Sequence, residues 1–204
     1  AMYLDTLLAL AAIALALAMR PWRAVPAGGL PWPALACWAA LPLLWNADHA
    51  TRIAVLQPLS GSCLLMLMLG WPLATLMTLP VAAVLYLGGM DAAQTLHRCV
   101  WLGIAPATLA VAMGAALRRW LPHHLMIYIL GRGFFITAIA GTLAGAASAA
   151  LQGVPVGTSL DDMLLARGFA AGGDAFITGM LVAIFVAFRP GWLATYTDKL
   201  YLPR

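Results

Sequence analysis

The chain has 204 residues, of which 64% are hydrophobic and only 9% charged, with a mean hydropathy of +0.93, whereas soluble domains are about one-quarter charged. That balance excludes an ordinary soluble protein, and continuous Leu- and Ala-rich runs exclude the alternating pattern of a membrane barrel, so the fold expected is all-α, a polytopic transmembrane helical bundle forming a single domain over 1–204. A net charge of +4 from scattered Lys and Arg is too small to suggest nucleic acid, and Cys37, Cys63 and Cys99 lack CxxC spacing, which leaves them as packing residues.

The first predicted span, Tyr3 to Met19, is apolar apart from Asp5 and Thr6 and stops at Arg20-Pro-Trp-Arg23. Its charges follow the apolar run, the reverse of a cleavable signal peptide. The second, about Leu30 to Trp45, opens on Pro31 and Pro33, which suit a helix start. A polar connection, Asn46 to Arg52, leads into a third span from about Ile53 to Leu69. Gly70-Trp71-Pro72 then turns the chain into a fourth, which reaches about Leu87 and carries a kinking Pro80. After Gly88-Gly-Met-Asp91 the fifth span runs from about Leu96 to Leu117, with His97 and Arg98 expected as interfacial anchors at its start and Pro106 at its centre.

Arg118-Arg119 close that span, and a short loop holds His123 and His124. The sixth, about Met126 to Leu151, is interrupted by Gly131-Arg-Gly133 and continues through Gly141-Thr-Leu-Ala-Gly145, a GxxxG that lets another helix approach closely. Gln152 to Ser159 reads as a loop, and the last helical region, Met163 to Phe188, follows Asp161 and Asp162. The tail from Arg189 reads as an interfacial segment.

Seven spans put the termini on opposite sides. With the N-terminus outside, seven of the eleven basic residues fall in inner elements, namely Arg20, Arg23, Arg118, Arg119, Arg189, Lys199 and Arg204, so the C-terminus is expected in the cytoplasm. The outer elements then hold Asp5, Asp48, Arg52, Asp91, Asp161 and Asp162. That acidic face reads either as a cation-concentrating entrance or as ordinary loop solvation.

A polar cluster feeds into an apolar run over 46–71, which marks where a substrate should be sought, with Gln57, Ser60 and Ser62 as lining residues. Asp48, His49 and Cys63 are the metal-ligand candidates. Carboxylate and imidazole suit divalent transition metals, and Cys63 with Met66 suits Cu(I); the plainer readings are a solvated loop and apolar packing. Asp174, after Gly172-Gly173, and Arg132, between two glycines, are intramembrane charges that need partners. Either Asp174 pairs with Arg132 or Arg167 to pin helices, or these groups touch substrate. The residues contain no GxxxxGK[ST], HExxH or GxSxG, so no enzyme activity is expected and any ATP hydrolysis falls to a separate chain.

The closing stretch 176–201, which opens Phe176-Ile-Thr-Gly179 and ends Tyr196-Thr-Asp-Lys-Leu-Tyr201, resembles the end of bacterial seven-span proteins classed as energy-coupling-factor transporter permeases. These are relatives of the substrate-binding membrane component of cobalt and nickel uptake systems. Leu59-Ser-Gly-Ser-Cys-Leu-Leu-Met-Leu-Met-Leu-Gly-Trp71 is similar to the family's intramembrane His-Leu-Leu-Gly segment and the turn after it, and Gly131-Arg-Gly-Phe-Phe135 falls where relatives have an Asn followed by aromatics. The resemblance implies a permease or substrate-binding subunit in the lipid bilayer of a bacterial inner membrane. It would take up a small cation, a transition metal as substrate with no resident cofactor, and be powered by separate ATPase and transmembrane coupling subunits. The family's metal ligands do not carry over: Ala1-Met-Tyr-Leu-Asp5 contains no His, and the intramembrane His aligns near Gln57 or Pro58. That departure suggests a second reading, a non-transporting accessory or assembly protein of a larger membrane complex.

Overall fold

Apolar segments in lipid must satisfy every backbone N–H and C=O internally, and in a Leu- and Ala-rich chain the helix does this. The computed structural model describes residues 2–23, 25, 29–48, 57–153 and 159–201, and among them the regular elements are all helical. They are α1 (Met2–Ala18), α2 (Trp32–Trp45), α3 (Ser62–Leu69), α4 (Trp71–Leu87), α5 (Ala92–Trp120), α6 (Ile127–Gln152), α7 (Leu160–Phe188) and a final turn, α8 (Asp198–Tyr201). By length and composition α5, α6 and α7 can cross a membrane, while α1, α2 and α4 are shorter apolar helices. Large exposed apolar side chains such as Leu43, Leu87, Phe169 and Phe188 suit an apolar solvent around this bundle.

Helix starts follow capping chemistry. The Asp91 carboxylate accepts the N–H groups of Ala93 and Gln94 at 2.9 and 3.3 Å, which opens α5. Ser159 Oγ accepts the Asp162 N–H at 3.0 Å, which opens α7. The GxxxG of α6 works as expected: a Cβ added at Gly141 would lie 3.0 Å from the Ala171 Cβ, and one at Gly145 would lie 3.4 Å from the Arg167 Cβ. Small residues therefore set how closely α6 and α7 approach.

The third predicted span is corrected to a half-length core helix. Among the described residues of that stretch, only Ser62–Leu69, 8 residues, is helical, and all of it is buried; at 1.5 Å per residue that is about 12 Å. Residues 57–61 reach it without helix, while 53–56 lie outside the described residues. Pro58 lacks an N–H, and Gly61 sits at φ +63°, so helix cannot run through this approach. Irregular backbone at this depth is tolerable because α2, α4, α5 and α7 pack around α3.

The tail also contributes to the core. The N–H groups of Ala194 and Thr195 donate to the carbonyls of Met68 and Leu67 at 3.1 and 3.3 Å, satisfying acceptors left over at the end of α3. Leu193, Tyr196 and Tyr201 are buried.

Candidate functional site: a polar cavity at one end of the bundle

Asp174 and the approach to α3 form one latch. The Ser60 N–H donates to Asp174 Oδ2 at 2.8 Å, and the Gly61 N–H reaches Oδ2 and Oδ1 at 3.1 and 3.2 Å. The positive φ of Gly61 lets these consecutive N–H groups converge on one carboxylate, as in an anion-binding nest. The Trp45 indole N–H donates to the Ser60 carbonyl at 2.8 Å, fixing the same turn from α2. Pro106 has no N–H to offer the Leu102 carbonyl one turn earlier, and that carbonyl accepts the Ser60 hydroxyl at 2.6 Å. With Ser60 donating there, the Ser62 hydroxyl 2.7 Å away is the donor to Ser60. A short non-helical segment is thus tied to α2, α5 and α7 by polar groups that the bundle interior would otherwise leave unpaired.

Two more polar links lie beside the latch. Arg98 binds Asp48 through two N–H groups, at 2.8 and 2.5 Å, and also donates to the Trp45 carbonyl. His97 bridges three helices: Nδ1 lies 2.8 Å from Asp5 Oδ2 on α1, and Nε2 lies 2.8 Å from Ser148 Oγ on α6. The other oxygen of Asp5 accepts the Trp101 indole N–H at 2.8 Å. Asp5, His97, Arg98 and Ser148 are all buried, so the expectation of His97 and Arg98 as interfacial anchors is corrected. Their charges are held inside because each has a matched partner in reach.

These links surround a cavity of about 240 Å³ between the approach to α3 and helices α5, α6 and α7. Gln57, Ser60, Asp48 and Asp174 line it, as do His97, Ser148 and Arg167. It reaches the surface near the exposed Gln152 and Gly153 at the end of α6. Arg167 is half-buried, its stem packed against the bare backbone of Gly145, and its Nε has no hydrogen-bond partner among the described residues. Most other charges around the cavity are already engaged. Arg167 is the one whose donor points at nothing the described protein supplies.

The sequence-derived candidates divide accordingly. Gln57, Ser60, Asp48 and Asp174 meet at this cavity, whereas Ser62 and Cys63 are buried at the start of α3, Cys63 and Met66 within the apolar core. Arg132 is elsewhere, near Arg118, His123 and Tyr201, with its guanidinium 5.6 Å from the Tyr128 ring. The expected Asp174–Arg132 pair is therefore corrected, as Asp174 is held by backbone N–H groups. Asp48 is occupied by Arg98, His49 lies outside the described residues, and no group of three His, Cys, Asp or Glu converges among those described.

Asp5 and Ser148 were not among the candidates drawn from the sequence, and Arg167, expected there only as a possible partner of Asp174 or a substrate contact, lines the cavity. Asp5 carried the clearest signal, because an acid one turn into an apolar helix demands a partner. Ser148 gave none, sitting in a run of Ala and Gly. No family model, curated protein or solved structure matches the chain.

Proposed function

We propose that the chain is a substrate-binding membrane subunit of a permease, taking a small polar organic solute into the cavity between α5, α6 and α7. The observation that carries this reading is Arg167: a half-buried guanidinium, with no hydrogen-bond partner for its Nε among the described residues, belongs to the wall of a polar cavity whose carboxylates are already engaged. A solute with a carboxylate or carbonyl oxygen pairs with that guanidinium, and Gln57 on the cavity wall carries an amide donor and acceptor for the remainder. The volume suits a molecule smaller than the drug-sized ligands that fill pockets of about 300 Å³ and above. A bare transition-metal ion has less support, since it needs several converging donors with free lone pairs. Because these residues contain no phosphate-binding loop, energy for uptake would come from separate subunits. A purely scaffolding protein needs no such cavity.

The test is equilibrium binding to the full chain in lipid nanodiscs, read by tryptophan fluorescence, because Trp101 lines the cavity. Small carboxylates and amides form one panel and Co²⁺, Ni²⁺ and Cu⁺ the other. The reading expects saturable binding from the organic panel, weakened at least about tenfold in Arg167→Met, the equivalent of roughly 1.4 kcal/mol. Saturable metal binding with no organic response overturns it in favour of a cation.

A further inference from the structure

Asp5, His97 and Ser148 come from α1, α5 and α6, yet they make one continuous hydrogen-bonded line that ends on the cavity wall. Both links measure 2.8 Å, and the three residues are 1%, 5% and 4% exposed, so water does not compete for either bond. The Asp5 carboxylate is oriented independently by Trp101, whose indole can only donate. An ionised Asp5 accepts from Nδ1, which places the proton of a neutral imidazole on that nitrogen and leaves Nε2 as the acceptor for the Ser148 hydroxyl. This is the order of roles in a nucleophile, base and orienting acid, recognised by geometry and not by chain position.

Two features of the surroundings go beyond a link that merely pins helices. Gly145 lies three residues before Ser148 on the same face of α6, and Arg167 packs its stem there with its Nε unpartnered. Arg167 and Ser148 line the same cavity, so a charge forming on a carbonyl oxygen held there has a guanidinium on the cavity wall. The exposed Gln152, one helical turn beyond Ser148, marks the side on which water reaches the cavity.

We propose that Ser148 is the nucleophile of an acyl-transfer site, acting on a small ester or amide held in the cavity. Ser148 Oγ bonds to the acyl carbon as its proton passes to His97 Nε2, and the resulting imidazolium is held by Asp5. The carbonyl oxygen takes the negative charge and faces Arg167. The tetrahedral intermediate collapses, the bond to the leaving alcohol or amine breaks, and that group takes the proton from Nε2. Water then adds to the acyl-serine, giving its proton to Nε2, and the second collapse returns that proton to Ser148 Oγ and releases the acid. Nothing is oxidised or reduced, and water is the sole co-reactant. This activity goes beyond solute binding and shares the cavity and Arg167 with it, but its readout is the Ser148 adduct, so its failure leaves the binding test above intact.

The probe is an alkyl fluorophosphonate, which reacts with activated serines, applied to the full chain in nanodiscs and followed by peptide mass spectrometry. The expected result is a phosphonate adduct on Ser148, abolished in Ser148→Ala, absent from heat-unfolded protein and slowed about 10²-fold or more in Asp5→Asn, which disturbs the imidazole tautomer. Ser148→Ala and Asp5→Asn are first shown to be folded by thermal unfolding. Should Asp5→Asn fail that check, His97→Gln replaces it, with the same slowing expected. No adduct on Ser148 in folded protein, or labelling as fast without an intact Asp5–His97 pair, overturns the proposal.

Discussion

Arg98 and Arg132 are both buried guanidinium groups, 7% and 4% exposed, and the bundle treats them differently. Arg98 has a bidentate carboxylate in Asp48 and a carbonyl in Trp45. Arg132 has the face of Tyr128, and its Nη1 has no hydrogen-bond partner among the described residues. Around Arg98 every neighbouring element contributes polar atoms, and the gap between them is a polar cavity. Around Arg132 the space is closed by Tyr128, Tyr196 and Tyr201, with ring centroids 4.9 to 5.4 Å apart, and Tyr128 is tied to Thr195 at 2.8 Å. One end answers charge with charge and leaves room, while the other answers it with aromatic quadrupoles and fills the room.

The sharpest way to break this comparison is Arg98→Met. It removes the guanidinium that donates to both the Asp48 carboxylate and the Trp45 carbonyl. Breaking a buried pair costs about 3–5 kcal/mol, and the lower end, about 3 kcal/mol, applies here because the Asp48 side chain is 25% exposed. Unfolding in mixed detergent micelles measures it. A loss below about 1 kcal/mol would mean that the paired end is not held by its charges.

The next effect is Gly61→Ala. At φ +63° a non-glycine residue is strained, and the added Cβ would lie 2.7 Å from the Leu41 Cδ2. The expected cost is about 1–3 kcal/mol. Because the Gly61 N–H also holds Asp174, the same variant is expected to weaken solute binding through the shape of the cavity wall, which the nanodisc titration reads separately from stability. Wild-type affinity together with lost stability would limit the latch to a folding role.

Much of the fold is legible in the sequence, and the part that is not has a physical cause. Continuous apolar runs give the helices, and Pro31 and the GxxxG of α6 mark a helix start and a close contact, because such features depend on local chemistry, whereas the fifth span, expected from about Leu96, opens at Ala92 on the Asp91 cap. The stretch from Ile53 to Leu69 reads as a span since hydropathy cannot distinguish lipid-facing leucine from leucine buried among other helices. The cavity was half-visible: its position beside 57–62 follows from polar residues next to an apolar run. Its chemistry depends on which residues meet from α1, α5, α6 and α7, and Asp5, His97 and Ser148 are far apart in the chain. The need of an intramembrane charge for a partner also suggested that Asp174 pairs with Arg132 or Arg167, because a sequence shows unpaired charges but not the backbone N–H groups able to satisfy one of them.

The smallest expected effect falls on Arg132→Met, and it gives the comparison its control. The substitution keeps an unbranched apolar stem but gives up the attraction to the Tyr128 ring, about 0.5–2 kcal/mol for a cation over an aromatic face. Against that loss, it removes a buried guanidinium whose Nη1 lacks a hydrogen-bond partner among the described residues, a group whose desolvation costs about as much. The two should nearly cancel, leaving stability within about 1 kcal/mol of wild type in the same micelle titration. Solute binding should be unchanged, since Arg132 does not line the cavity. A loss as large as that of Arg98→Met would show that Arg132 is paired after all, and the division between a charge-matched end and an aromatic end would no longer stand.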